Sequence, residues 1–138
     1  MTIKDIMTEN PACVEVSAPI TEVLETLHDL DIRHLPVVNN GELVGLVSDR
    51  DLRSFSLPEM VRFNNPEKAN ARLNADIGSL MSGDVHSVGP EDEIVEVVRM
   101  MIDHKHGAVP VVDPIDGRLV GIVSYIDVLR AAEELFEV

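Results

Sequence analysis

Two stretches of this chain hold a hydroxyl and a carboxylate three residues apart, directly after an apolar run: Ser48-Asp49-Arg50-Asp51 after Gly45-Leu46-Val47, and Ser124-Tyr125-Ile126-Asp127 after Gly121-Ile122-Val123. A carboxylate so placed can accept from both hydroxyls of a ribose, through charge-assisted hydrogen bonds of roughly twice neutral strength. The serine beside it stands at the head of a helix, where unpaired backbone N–H groups favour phosphate. The same spacing is also a capping box, in which serine and aspartate satisfy orphan amides and contribute about 1 kcal/mol without any ligand. One copy alone favours the cap. The pair recurs at an offset of 76 (124 − 48 and 127 − 51), at the same place after a strand, and this recurrence favours ligand binding. The two roles coexist readily in one carboxylate.

Other chemistry is poorly represented. His104 and His106 flank Lys105, but no Cys or carboxylate at metal-ligand spacing joins them, so no metal centre is expected. There is no nucleophile elbow, P-loop or Gly-x-Gly-x-x-Gly and no pair of catalytic carboxylates, which argues against an enzyme. Met7, Met81, Met100 and Met101 fall on apolar stripes and read as core. The lone Cys13 has no internal disulfide partner and is expected to be a small buried or half-buried residue.

The 138 residues are 45% hydrophobic, enough for a real core, yet only 3% aromatic, so the core is aliphatic and offers few rings for stacking. A net charge of −14 disfavours nucleic acid and anionic membranes, both of which are bound mainly through Lys and Arg. The apolar runs are far shorter than a membrane span, and Met1 to Asn10 has no signal core; a cytoplasmic protein is expected.

The elements that would carry the two Ser-x-x-Asp pairs also come in duplicate. Ile3 to Thr8 and Ile77 to Ser82 each read as one short apolar turn, and Val14-Glu15-Val16 and Val85 to Val88 as short half-buried strands. Ser17-Ala18-Pro19 supplies an N-cap and a first-turn proline for an amphipathic helix through Ile20, Val23, Leu24, Leu27 and Leu30. Pro90 and the acidic Glu91, Asp92 and Glu93 open its counterpart through Ile94, Val97, Val98 and Met101. Leu35-Pro36-Val37-Val38 and Val109-Pro110-Val111-Val112 then read as edge strands that tolerate a proline. Asn39-Asn40-Gly41 and Asp113 to Gly117 turn the chain back into Leu43 to Val47 and Leu119 to Val123, and short helices are expected from Asp49 and Tyr125. Each unit is thus strand, helix, strand, strand, helix, an α/β (α+β) pattern. Residues 1–56 form the first repeat, 57–74 a connecting insertion with a helical stretch from Glu67 to Leu73, and 75–138 the second repeat.

Ile3 to Met7, Ile32 to Val38 and Gly41 to Leu52, with the second copy at His106 to Val112 and Gly117 to Val128, resemble the cystathionine-β-synthase-type (CBS) domain, twice over. The resemblance implies a CBS pair, or Bateman module, in which two β-α-β-β-α repeats pack about a pseudo-two-fold axis. It also implies a non-catalytic sensor that binds adenosine derivatives in clefts between the repeats, with the aspartate of Ser-x-x-Asp on the ribose. AMP, ADP or ATP is the implied ligand, S-adenosylmethionine a further candidate, and no cofactor is implied.

In the first copy Arg33 and His34, three and two residues before Pro36, fall where the family commonly presents basic side chains to ligand phosphates; Pro36 is counted with them at the implied site, and Arg50 adds a charge beside Ser48 and Asp51. Gathered in a chain with 11 Lys and Arg against 25 Asp and Glu, they call for an anion. The second copy keeps Pro110, Ser124 and Asp127 but has Gly107, Ala108 and Ile126 at the basic positions, with His106 displaced one residue earlier. The first site is therefore expected to hold phosphate better. A homodimer, docked through faces that include Leu24, Leu27, Val98 and Met101, and an unidentified regulated protein are the expected partners. The alternatives are a structural or oligomerising module without ligand and a nucleic-acid binder.

Overall fold

The computed structural model describes residues 1–52, 67, 74–79, 81 and 85–137. The elements are β1 (Thr8–Glu9), β2 (Val14–Glu15), α1 (Ile20–Asp29), β3 (His34–Asn39), β4 (Glu42–Ser48), α2 (Ile94–His104), β5 (Ala108–Val112), β6 (Leu119–Ser124) and α3 (Tyr125–Phe136), with 3-10 turns at Ile3–Asp5 and Ile77–Ser79. The expected insertion lies almost wholly outside the described residues; only Glu67, in helical conformation, and Asn74 are described there. The chain forms two compact units, one of residues 1–11, 41–43 and 85–138, the other of residues 12–40 and 44–84.

The second of these units holds the sheet β2-β3-β4. Val14 and Glu15 pair in parallel with Val37 and Val38, and α1 covers the sheet with Ile20, Val23 and Leu27. These join Leu35, Val37, Val47, Leu52 and Ile77 in one aliphatic cluster, each large side chain contributing about 1.5–3 kcal/mol through burial. Two expectations need correction. Ser17 does not cap α1: Pro19 is the N-cap, with no side-chain cap bond, and the Ile20 N–H is instead taken by the Ala75 carbonyl at 3.0 Å. Nor is the strand of Pro36 an edge; β3 is central. Its proline is tolerated because the two residues of β2 pair with Val37 and Val38, so no residue of β2 stands opposite the missing N–H.

The other unit holds the sheet β1-β6-β5, whose core is Ile3, Val88, Val97, Val109, Val111 and Val123. The four valines expected at the centre, Val37, Val47, Val111 and Val123, are thus all buried. The strand expected at 85–88 is reduced to a single parallel bridge, Val88 to Val111. β1 pairs antiparallel with β6, setting Thr8 opposite Ile122. The hairpin turns follow their residue types: Asn40 (φ 52°) and Gly41 (φ 88°) close the first, while in the second Gly117 (φ 73°) follows Asp113 and Asp116, whose carboxylates take the Ile115 and Arg118 N–H groups.

Gly45 and Gly121 occupy equivalent places, and each lies under a methionine. A Cβ added at Gly45 would meet the Met81 sulfur at 2.5 Å; one at Gly121 would meet the Met7 sulfur at 2.5 Å and the Thr8 carbonyl oxygen at 3.0 Å. A methionine side chain can turn aside, whereas a carbonyl paired in a sheet cannot. Gly121→Ala is therefore expected to cost about 2 kcal/mol and Gly45→Ala distinctly less, read as the shift of a urea unfolding midpoint. Equal shifts would rule out the Thr8 carbonyl as the limiting contact.

Cys13 is exposed rather than buried, since it precedes the two-residue strand β2 and only Val14 turns inward. Partial desolvation, and then the charge of Glu15, push its thiol up from the ordinary value, which leaves little reactive thiolate at neutral pH. Met7, Met81, Met100 and Met101 pack against the two cores as expected. Among the described residues no helix is long and apolar enough to cross a membrane.

Candidate functional site

Both Ser-x-x-Asp pairs sit where a sheet strand ends, and both fold into the same reciprocal hydrogen bonds. In the first copy the Ser48 N–H donates to Asp51 Oδ2 at 3.0 Å, and the Asp51 N–H donates to Ser48 Oγ at 3.2 Å. In the second the Ser124 N–H donates to Asp127 Oδ2 at 2.8 Å, the Ser124 hydroxyl to the same oxygen at 3.1 Å, and the Asp127 N–H to Ser124 Oγ at 3.4 Å. The capping box is thus present twice. It occupies only one oxygen of each carboxylate: among the described residues no hydrogen bond reaches Oδ1 of Asp51 or Asp127. That second oxygen remains available to an outside donor.

A further shared bond links each turn to the residue just before β3 or β5. The Asp49 N–H donates to the Arg33 carbonyl at 2.9 Å, and the Tyr125 N–H to the Gly107 carbonyl at 3.1 Å. In one unit this holds the Arg33 backbone beside the Ser48 to Asp51 turn, and in the other it holds Gly107 beside the head of α3. Arg33, Arg50 and Asp51 are exposed, and His34 opens β3 half-buried. Neither guanidinium has a carboxylate within ion-pair distance among the described residues. The helix expected from Asp49 starts as a turn over residues 49–52, and its continuation lies outside the described residues. Pro36 and Pro110 are buried in β3 and β5, where they shape the strands rather than face solvent. Asp127, in the first turn of α3, is half-buried, whereas Asp51 is exposed.

His106 lies in different company from that expected. Its ring centroid is 5.1 Å from that of His86 and 5.6 Å from that of His104, and the rings of His86 and His104 are 4.5 Å apart. Its Nε2 is buried without a hydrogen-bond partner among the described residues, an omission that ordinarily costs about 1–3 kcal/mol. Desolvation, and then the neighbouring His86 and His104, hold its pKa below the usual histidine value. Three features of the fold converge here. α2 ends at His104, Lys105 takes a left-handed C-cap (φ 56°, ψ 34°) that reverses the chain, and Val88 is held to β5 by its N–H on the Pro110 carbonyl and its carbonyl on the Val112 N–H. The short sequence spacing of His104 and His106 was visible; that His86 joins them was not, because it depends on the Val88 bridge.

The family model described as CBS domain matches this chain twice, at residues 3–57 and 77–134. A homoserine O-acetyltransferase of Methanococcoides burtonii is 32% identical over 130 residues, which are 94% of this chain but only 24% of that protein. The solved structure of CBSX2 in complex with AMP, a protein of Arabidopsis thaliana, is similar with a TM-score of 0.80 and 31% identity over 97% of both chains. The CBS domain pair of protein MJ0100 in complex with 5′-methylthioadenosine and S-adenosyl-L-methionine has a TM-score of 0.76 and 27% identity over 98% of both.

Proposed function

This chain belongs to the CBS-domain family, with two copies of the domain, and from that premise we propose that it is a non-catalytic regulatory module binding adenosine nucleotides of the AMP, ADP and ATP class. The observation that carries the reading is the repeated carboxylate, with Oδ2 of Asp51 and of Asp127 held by a serine amide and Oδ1 without a hydrogen bond among the described residues. An aspartate fixed by its own backbone loses little side-chain freedom when it accepts from ribose hydroxyls. Arg33 and Arg50 near the first pair lack carboxylate partners among the described residues, and supply the charge a phosphate needs. The AMP complex of CBSX2 supports the nucleotide class, while the complex of MJ0100 keeps S-adenosylmethionine as a competitor. The enzyme name of the Methanococcoides relative belongs to a protein three-quarters of which lies outside the match, and no catalysis is proposed for this chain. Calorimetric titration of nucleotide-stripped protein with AMP, ATP and S-adenosylmethionine tests the reading.

A structural module without ligand is the second reading, since the capping boxes are complete as they stand. It predicts that Asp51→Ala changes only thermal stability.

The module acts as a homodimer in a cytoplasmic setting and passes its ligand state to a partner protein. Of the residues expected on its dimer face, Leu27 is buried and Leu24, Val98 and Met101 are half-buried, which leaves them less apolar surface to offer than the fully exposed positions. Among the described residues the exposed large apolar side chains of these helices are Val95 and Ile102 on α2 and Tyr125, Ile126, Leu129, Leu135 and Phe136 on α3. Tyr125, Leu129 and Phe136 recur at helical steps and form one stripe. Leu129→Glu is expected to convert a dimer to a monomer in light scattering at micromolar concentration without loss of helical content. A dimer that survives the charge excludes this stripe.

A further inference from the structure

We propose that His86, His104 and His106 form a pH-sensitive latch at the junction of α2 and β5, closed while the three imidazoles are neutral and released when they take up protons. The rings lie against one another: His86 and His104 stack 4.5 Å apart at 16°, His104 and His106 5.6 Å apart at 29°, and His86 and His106 are 5.1 Å apart at 42°. Among the described residues no group of three His, Cys, Asp or Glu can hold a metal ion, so the chemistry considered for the trio is that of the proton. An independent observation comes from His106 itself, whose Nε2 is buried with no hydrogen-bond partner among the described residues. Both nitrogens of an imidazolium are donors, so a protonated His106 holds a buried, unmet N–H unless its ring swings out to water.

Among the described residues none of the three rings has a carboxylate within ion-pair distance to ease its protonation. The charged and titratable neighbours are Arg99, Asp103 and Lys105 from α2, and Tyr125 and Asp127 from the head of α3, where the Asp127 carboxylate takes the Ser124 N–H. β5 begins with the apolar Ala108, Val109 and Pro110, and Asp84, two residues before His86, lies outside the described residues. Two imidazolium rings 4.5 Å apart repel each other. Desolvation, then His86 and His104, hold the His106 pKa below its ordinary value of 6.5. The stability tied to a neutral His106 is therefore present above 6.5 and is lost as pH falls from there through the lower folded value. What the latch holds is the head of α3: Gly107, next to His106, accepts the Tyr125 N–H at 3.1 Å, and Tyr125 opens the helix capped by Ser124 and Asp127. A His106 ring that moves into water strains that bond. All of these residues belong to one unit.

Tyr125 is the only tyrosine and the chain has no tryptophan, so intrinsic fluorescence reports directly on the head of α3. The test takes nucleotide-free full-length protein from about pH 8 to about pH 5 and reads native Tyr125 emission and the urea unfolding transition at each step. Wild type is compared with His106→Gln and with the double variant His86→Gln/His104→Gln, whose two positions are exposed. His28 and His34 are common to all three proteins and cancel in the differences. The wild type is expected to show a Tyr125 transition centred below 6.5 that is absent in His106→Gln. Its unfolding constant should rise at least about threefold relative to that of His106→Gln between about pH 7.5 and about pH 5.5. In the double variant the transition should move to higher pH, because two like charges beside His106 are gone. That shift decides the matter even if His106→Gln does not fold. Tyr125 emission that stays flat over the range, or a double variant whose transition coincides with the wild type's, overturns the proposal. Because no nucleotide is present, neither result bears on the adenosine reading.

Discussion

Asp51→Ala is expected to weaken AMP binding at the first site by at least about a hundredfold. Two charge-assisted hydrogen bonds to the ribose hydroxyls are lost, at roughly 1.5–3 kcal/mol each, and every 1.4 kcal/mol is a factor of ten. The same substitution removes the acceptor of the Ser48 N–H, so a stability loss of about 1 kcal/mol accompanies it. Two companions separate the effects. Ser48→Ala removes the acceptor of the Asp51 N–H but keeps the carboxylate, and so lowers the melting temperature more than the affinity. Asp51→Asn keeps an oxygen for the Ser48 N–H but not the charge, and lowers affinity with little change in melting. Should all three variants melt lower and bind AMP as the wild type does, the carboxylate is only a cap. Asp127→Ala is expected to remove a second, weaker event and leave the first untouched.

Arg33→Ala is expected to cost roughly tenfold or more in AMP affinity while changing adenosine affinity little, since the guanidinium answers the phosphate and not the sugar. Arg33 is well placed for this: its carbonyl is fixed by the Asp49 N–H, while among the described residues its guanidinium has no competing carboxylate. Being exposed, it should contribute less as salt is raised, so the AMP-to-adenosine ratio should fall with ionic strength. In the second repeat the corresponding backbone position is Gly107, whose carbonyl takes the Tyr125 N–H in the same way but which carries no charge. Asp127 is the more buried carboxylate, which favours the sugar contact there and makes the contrast between the repeats one of phosphate rather than of ribose. An Arg33→Ala protein that loses AMP and adenosine equally would place the arginine elsewhere than at the phosphate.

Much of this was legible in the chain because duplication doubles every local signal. The offset between Ser48 and Ser124 exposed the repeat, periodicity located α1 and α2, and Asn40-Gly41 announced a tight hairpin. What was illegible depends on long-range pairing. β1 is two residues long, too short for an alternating pattern, so nothing local announced that residues 1–11 share a unit with residues 85–138. The central position of Pro36 follows from the brevity of β2, and the loss of the Ser17 cap from the Ala75 carbonyl, 55 residues away (75 − 20) from the Ile20 amide it accepts. Exposure on α1 was likewise misjudged, because Leu27 sinks into its own sheet, and the outward-facing Leu129 and Phe136 on α3 were not anticipated. His86 carried no signal at all, since 18 residues (104 − 86) separate it from its nearest histidine neighbour in sequence.

The central claim, that the paired Ser-x-x-Asp heads bind an adenosine nucleotide, is tested most directly by calorimetric titration of AMP into wild-type protein stripped of bound nucleotide. Saturable binding is predicted, with a tighter event that disappears in Asp51→Ala and a weaker one that disappears in Asp127→Ala. Absence of any heat with AMP, ADP, ATP and S-adenosylmethionine up to about 1 mM, from protein that melts cooperatively, would contradict it and leave the two carboxylates as helix caps alone.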